Sequence, residues 1–250
     1  MLQIINHGNV RELRLARPPV NALNPELVER LILTLRESAG ECGAVVLSGR
    51  EGLFSAGLDV VELMQLDRDG MKVFWRAFFE LQETIACSPI PVVAAITGHA
   101  PAGGAVMCLM CDYRVMSDGD YRIGLNESQV GLIIPPVLQN AMVRLVGPRI
   151  AEQMLVAGST VDSQQALKIG LVDALEPAYD KTISHAIEWC QKLLSLPQHS
   201  VLGNRAIARA HFKQEFAENT DADIASFVDG WFSDETQVVI NSLIARLKAK

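Results

Sequence analysis

No apolar stretch in this sequence reaches the about 20 residues that a membrane-spanning helix needs. The N-terminus, MLQIINHGNVRELRLARPP, has no basic-then-apolar leader pattern, and the closing RLKAK is not a peroxisomal tripeptide. Basic residues are in the minority: 22 Lys and Arg stand against 29 Asp and Glu, a formal net charge of −7. A field of that sign repels polyanions, so nucleic acid is not an expected partner, although a local basic patch can still hold a small phosphorylated ligand. The five cysteines are odd in number and lie mostly in apolar contexts, which reads as buried thiols in a reducing compartment and not as a disulfide framework. Cys108 and Cys111 form a CxxC, but no second CxxC or histidine pair accompanies it, so core packing is the better reading. Repeats and low-complexity linkers are also missing. Together these absences predict a cytosolic chain with no membrane association and no metal.

What is present is a core-rich composition. Of the 250 residues, 49% are hydrophobic and 20% charged, enough to bury one large domain or two small ones. Residues 2–6 and 10–15 alternate like two strands of a hairpin around His7-Gly8-Asn9. Asn24 followed by Pro25 marks a helix start, and the stripe Leu27, Leu31, Ile32, Leu35 continues it. AVVLSG (44–49) and PIPVVAAITG (89–98) read as buried strands, with a helix between them over Lys72 to Ala86. YRVMSD and YRIGLN look like a strand pair or two successive short strands. From Gly147 the texture turns helical. Alternating strands and helices predict an α/β fold with a mainly parallel sheet, whose loops at the strand ends carry the site.

Two loops share a character. Phe54-Ser55-Ala56-Gly57-Leu58-Asp59 and Ala100-Pro101-Ala102-Gly103-Gly104 both set small residues where a strand gives way to a helix. Unpaired N–H groups there suit an anion or a developing oxyanion, and one from each loop would cradle a carbonyl oxygen becoming an enolate. Tight strand–helix packing is the plainer explanation for either loop alone. Glu127 lies in an otherwise apolar window, bounded by Ile123, Leu125, Val130 and Leu132. On that window alone a solvated loop residue is slightly favoured over a partly buried base. Asp59 reads either as a second acid or as the cap of the helix starting near VVELMQ.

FSAGLD, PAGG…CDYR and GLNESQVGL, in this order and spacing and followed by GPRIAEQMLVAG…DSQQALKIGLVD, resemble the crotonase (enoyl-CoA hydratase/isomerase) superfamily. The resemblance covers nearly the whole chain from RPPVNALN onward. Within the superfamily, SAGLD, PAGG and above all LNESQ are most similar to the Δ3,Δ2-enoyl-CoA isomerases of fatty-acid β-oxidation.

The resemblance implies a β-β-α superhelical spiral core over 1–195. A helical C-terminal region, 196–250, would serve trimerisation or capping. Trimers or pairs of trimers are the implied assembly. It puts the Leu58 and Gly103 amides in an oxyanion hole and Glu127 at the catalytic carboxylate. Ala56, Gly57 and Asp59 would line the acyl-CoA site, and Asn126 would face the acyl chain or orient the base. Coenzyme A enters as part of the substrate, with no other cofactor.

Hydratases of the superfamily carry a further glutamate three residues beyond the oxyanion glycine; here that position is Val106, between Ala105 and Met107. Hydration needs water held between two carboxylates, whereas one carboxylate can move a proton along a dienolate. An isomerase of 3-enoyl-CoA, running on Glu127 alone, is the expectation. Its alternatives are a hydratase, a dienoyl-CoA isomerase using Asp59 and Glu62, a non-catalytic binding subunit, and a serine hydrolase using Ser55. His99, the only histidine near the loops, is expected to cap or pack. Arg17, Lys248 and Lys250 are candidate cations for the CoA phosphates, each more readily a solvated surface charge.

Overall fold

The structure, a computed structural model, describes residues 1–218 and 220–248. Strands β1 (Leu2–His7) and β2 (Val10–Leu15) pair antiparallel around Gly8-Asn9, as the alternation predicts. Helix α1 (Pro25–Glu41) starts at its sequence signal: the Asn24 side chain accepts the Leu27 amide at 3.0 Å. Pro25 follows in the first turn, where its missing N–H is no loss. All four residues of the expected stripe are buried.

The chain then takes one course three times. Strand β3 (Ala44–Ser48) leads to short β4 (Gly52–Leu53) and helices α2 (Val60–Leu63) and α3 (Arg68–Ala86). Next come β5 (Val92–Ile96), β6 (Gly98–Pro101) and α4 (Gly103–Leu109). Third are β7 (Tyr113–Ser117), β8 (Ile123–Gly124), a single 3-10 turn at Glu127–Val130 and α5 (Pro136–Val146). The long strands join a six-stranded sheet of order β1-β2-β3-β5-β7-β9, closed by β9 (Ala174–Glu176), while the short ones form a second sheet, β4-β6-β8. Every pairing after the hairpin is parallel, so each turn of this β-β-α spiral adds one strand to each sheet.

Helices α6 (Pro148–Ala157) and α7 (Ser163–Lys168) precede β9, and α8 (Tyr179–Leu194), α9 (Gln198–Ala208), α10 (Ala210–Ala217), α11 (Thr220–Trp231) and α12 (Asp234–Lys248) complete the chain. All residues of β3 and β5 are buried because the large sheet is covered on both faces. Val45, Leu47, Ala94 and Ile96 face the main core with α1 and α3, and the alternate residues Val46, Val93 and Ala95 pack under Ile183, Ala186 and Cys190 of α8. The C-terminal helices share the main core: Phe227 of α11 stacks on Trp75 of α3, and Trp231 and Ile240 are buried with them.

Three expectations need adjusting or resolving. Helix α3 begins at Arg68, not Lys72, because Asp67 caps it by accepting the Gly70 amide at 2.8 Å; the charged first turn, Arg68-Asp69-Gly70, hides this start from an apolar pattern. YRVMSD and YRIGLN are not paired, since β7 lies in the large sheet and β8 in the small one. The CxxC is core: Cys108 and Cys111 are buried and free, and burial pushes the Cys111 thiol up to about 12. Among the described residues no group of three His, Cys, Asp or Glu side chains is placed to hold a metal, and no helix is long and apolar enough to cross a membrane.

Candidate active site

The first loop is tied down by its neighbours. The buried Ser55 hydroxyl donates to the Asn21 carbonyl at 2.8 Å and accepts the Gly57 amide at 3.1 Å. It is a structural tie with no histidine partner, which removes the serine-hydrolase reading. Leu23 lies alongside as a parallel bridge: its amide donates to Gly57 O at 2.8 Å and its carbonyl accepts the Asp59 amide at 3.0 Å. A strand-like residue between two such bonds turns its own amide the other way, and no acceptor among the described residues takes the Leu58 N–H.

The second loop turns at Ala102, which has φ 48° and ψ −123°, a conformation that costs a residue with a side chain about 1–3 kcal/mol. Its amide donates to Gly124 O at 2.9 Å, and the next residue, Gly103, opens α4 with an N–H that no described acceptor takes. The two loops touch. A Cβ placed on Gly57 (φ 90°) would lie 3.0 Å from Ala102 Cβ and 3.2 Å from Gly103 N, so only glycine allows this approach. Two unpaired amides from touching loops are a seat for a carbonyl oxygen that gains negative charge. Behind them every residue of α4 is buried, Val106 included at 1% exposure.

Glu127 enters from the third spiral turn, three residues after the Gly124 carbonyl that holds Ala102. Its turn is fixed from α6 and its cap: the Ser128 hydroxyl donates to Leu155 O and the Gln129 side-chain Nε2 to Gly158 O, both at 2.7 Å. Carboxylate Oε2 is shut off from solvent with no hydrogen-bond partner, and so is Oδ1 of adjacent Asn126. Desolvation pushes the Glu127 carboxyl up to about 7, with no charged neighbour contributing. The slight preference for a solvated loop residue is corrected at the carboxylate: Ser128 and Gln129 of the turn are exposed, but α6 and α12, distant in sequence, pack against it and Glu127 Oε2 is closed off.

The other candidates fall around this centre. Gly57 is buried between the loops and Ala56 is exposed beside it. Asp59 caps α2 by accepting the Glu62 amide at 3.0 Å and pairs with Arg17 at 2.7 Å. Arg17 also pairs with Glu62 at 3.0 Å, so its charge is already balanced by two carboxylates. His99 packs, as expected, accepting the Arg122 amide through Nδ1 and meeting Tyr121 edge-on. Lys250 and the side chain of Lys248 lie outside the described residues. Sequence reasoning missed Leu23, which aims the Leu58 amide; a two-residue bridge leaves no periodic signal.

An enoyl-CoA hydratase/isomerase family model matches residues 6–249. The rat mitochondrial enoyl-CoA delta isomerase 1 is 33% identical over 97% of this chain and 85% of its own length. The crystal structure of human mitochondrial delta3-delta2-enoyl-CoA isomerase superposes with a TM-score of 0.94 at 30% identity, covering 99% of this chain and 98% of the other. A probable enoyl-CoA hydratase of Mycolicibacterium paratuberculosis is 30% identical over 87% of this chain and 84% of its own length. The cytosolic expectation is corrected by the first two relatives, which are mitochondrial proteins. Free thiols argue against an oxidising compartment but do not choose among reducing ones. Matched over almost its whole length by the family model, and built as the spiral its motifs implied, the chain belongs to the enoyl-CoA hydratase/isomerase family.

Proposed function

We propose that this protein is a Δ3,Δ2-enoyl-CoA isomerase of fatty-acid metabolism, working by a 1,3-proton transfer on Glu127 alone. The carboxylate takes a proton from C2 of a 3-enoyl thioester. The electron pair spreads over a dienolate whose oxygen rests on the Leu58 and Gly103 amides. As the C2=C3 bond forms, Glu127 returns the same proton to C4 and the trans-2-enoyl thioester is released. Conjugation sets the direction; the seat for the oxyanion and the fixed base set the rate. Gly57 and Ala56 line the thioester end of the substrate and Asn126 lies beside the base. Asp59 shapes the loop through α2 and Arg17.

The carrying observation is that the carboxylate of half-buried Glu127 is desolvated, with Oε2 shut off from solvent and no charged neighbour. A carboxyl poised at about 7 suits proton exchange at neutral pH, and the position where a hydratase holds its other acid is a buried valine. An apolar wall gives water nothing to hold it, which favours proton return over addition. We infer also a homotrimer or a dimer of trimers, with 196–250 as the trimerising or capping region. The exposed side chains of Ile133, Val156 and Val238 are apolar surface that such an assembly would cover. Light scattering decides between these states and a monomer.

The test is an absorbance assay with 3-hexenoyl-CoA on wild type and Glu127→Gln, with crotonyl-CoA hydration in parallel. Isomerisation that falls about 10²–10⁴-fold in the variant, with negligible hydration, supports the reading. Fast hydration by the wild type overturns it in favour of a hydratase, the activity named for the mycobacterial relative.

A further inference from the structure

Among the described residues no side chain bonds the Glu127 carboxylate, whose hydrogen bond is to its own backbone, so the turn that carries it sets its aim. That turn is closed by Gly131, in the left-handed region at φ 78°. The Gly131 amide returns to Glu127 O, as does the Leu132 amide at 3.0 Å. From α6 the turn is held at Ser128 and Gln129 only. The closing end is held from the opposite end of the sequence: the Thr236 hydroxyl of α12 donates to Gly131 O at 2.9 Å. Thr236 is fully buried, and a Cβ on Gly131 would lie 2.6 Å from its Oγ1, so the two backbones meet with no room for a side chain at 131. Helix α12 is not free to drift, because Trp231 just before it and Ile240 within it are buried in the main core.

From this geometry, and resting on the isomerase reading above, we propose that Thr236 is a positioning residue for the base: through Gly131 it fixes where the Glu127 carboxylate points. The α12 helix is then part of the catalytic apparatus without touching substrate. Removing the hydroxyl leaves Gly131 O without its donor and lets the turn shift, admitting water to the carboxylate. A misplacement of about 1 Å is enough to lower kcat on the order of 10²-fold while leaving substrate binding intact. Threonine and serine both supply the hydroxyl, whereas valine keeps the shape and lacks it.

The experiment uses the full chain as wild type, Thr236→Val and Thr236→Ser, with Thr236→Ala replacing the valine variant if that does not fold. Two readouts are taken: kcat and KM with 3-hexenoyl-CoA, and the titration of the Glu127 carboxyl by NMR on carboxyl-labelled glutamate, assigned with Glu127→Gln. The expected result for valine is a fall in kcat of about 10–100-fold at unchanged KM, with a carboxyl midpoint moved down toward the ordinary glutamate range. Serine is expected to restore both. Wild-type kcat and midpoint in the valine variant overturn the proposal, as does an equal loss in valine and serine. A wild type inert toward 3-hexenoyl-CoA sinks the isomerase reading instead, and the NMR titration then decides the role of Thr236 alone.

Discussion

Replacing Glu127 by glutamine should make the protein more resistant to denaturation as pH rises, relative to wild type. The native carboxyl titrates at about 7, whereas an ordinary glutamate titrates at 4.5. Between those values the native state keeps a proton that the unfolded chain releases, so ν(U) − ν(N) is negative and wild-type stability falls with rising pH. The loss is absent below 4.5 and complete once pH passes about 7. At 1.36 kcal/mol per tenfold change in proton affinity, the span amounts to at most about 3 kcal/mol. Glutamine does not titrate and has no such slope. Its own buried amide shifts the curve by a constant, so the quantity to read is the difference between the two proteins as a function of pH. Urea melts at pH 4, 5.5, 7 and 8.5 supply it, given unchanged m-values. A difference that climbs by about 2–3 kcal/mol between the first and last points fits a desolvated base. Parallel curves would mean that water reaches the carboxylate and that its burial has been misread.

Three further outcomes follow from the same geometry. The kcat/KM for 3-hexenoyl-CoA should rise with pH along one limb, with a midpoint at about 7, because the base must be ionised and no second acid takes part; a bell with a second limb near neutrality would reveal one. Gly57→Ala forces a Cβ against Ala102 and Gly103 at φ 90°, and should lower kcat about 10²–10³-fold by parting the two amides; unchanged kcat would remove the Leu58–Gly103 pair from the mechanism. Val106→Glu buries a carboxylate with no partner and should cost about 3–5 kcal/mol in a urea melt. Undiminished stability there would show that position 106 opens on a wet site.

Much of this was legible in the sequence because the signals are local. A short polar side chain ahead of a proline announces α1, alternation around Gly8-Asn9 announces the hairpin, and runs such as AVVLS announce strands covered on both faces. The small sheet left no such trace: β4 and β8 have two residues each, too few for any period. The desolvation of the Glu127 carboxylate was likewise invisible, since the turn that carries it is held from α6 and α12, tens of residues away or more. Motif resemblance located that residue; local chemistry alone leaned the other way. Arg17 illustrates the opposite error. A cation beside a ligand loop invites a phosphate, yet two carboxylates from the following helix region already occupy it.

The spiral has a consequence for how activity fails under stress. Leu58 follows the first short strand, Gly103 the second and Glu127 the third, and each turn pairs only with the turns on either side. Helices share one core across the turns, but strand pairing links each turn only to its neighbours, so a local opening well short of global unfolding is enough to displace one group. The three reacting groups therefore act as a series circuit, in which one open link breaks the current while most of the wire is intact. Mild denaturant would silence the chemistry ahead of the bulk loss of helix signal, so turnover reports whether all three rungs of the spiral are in register.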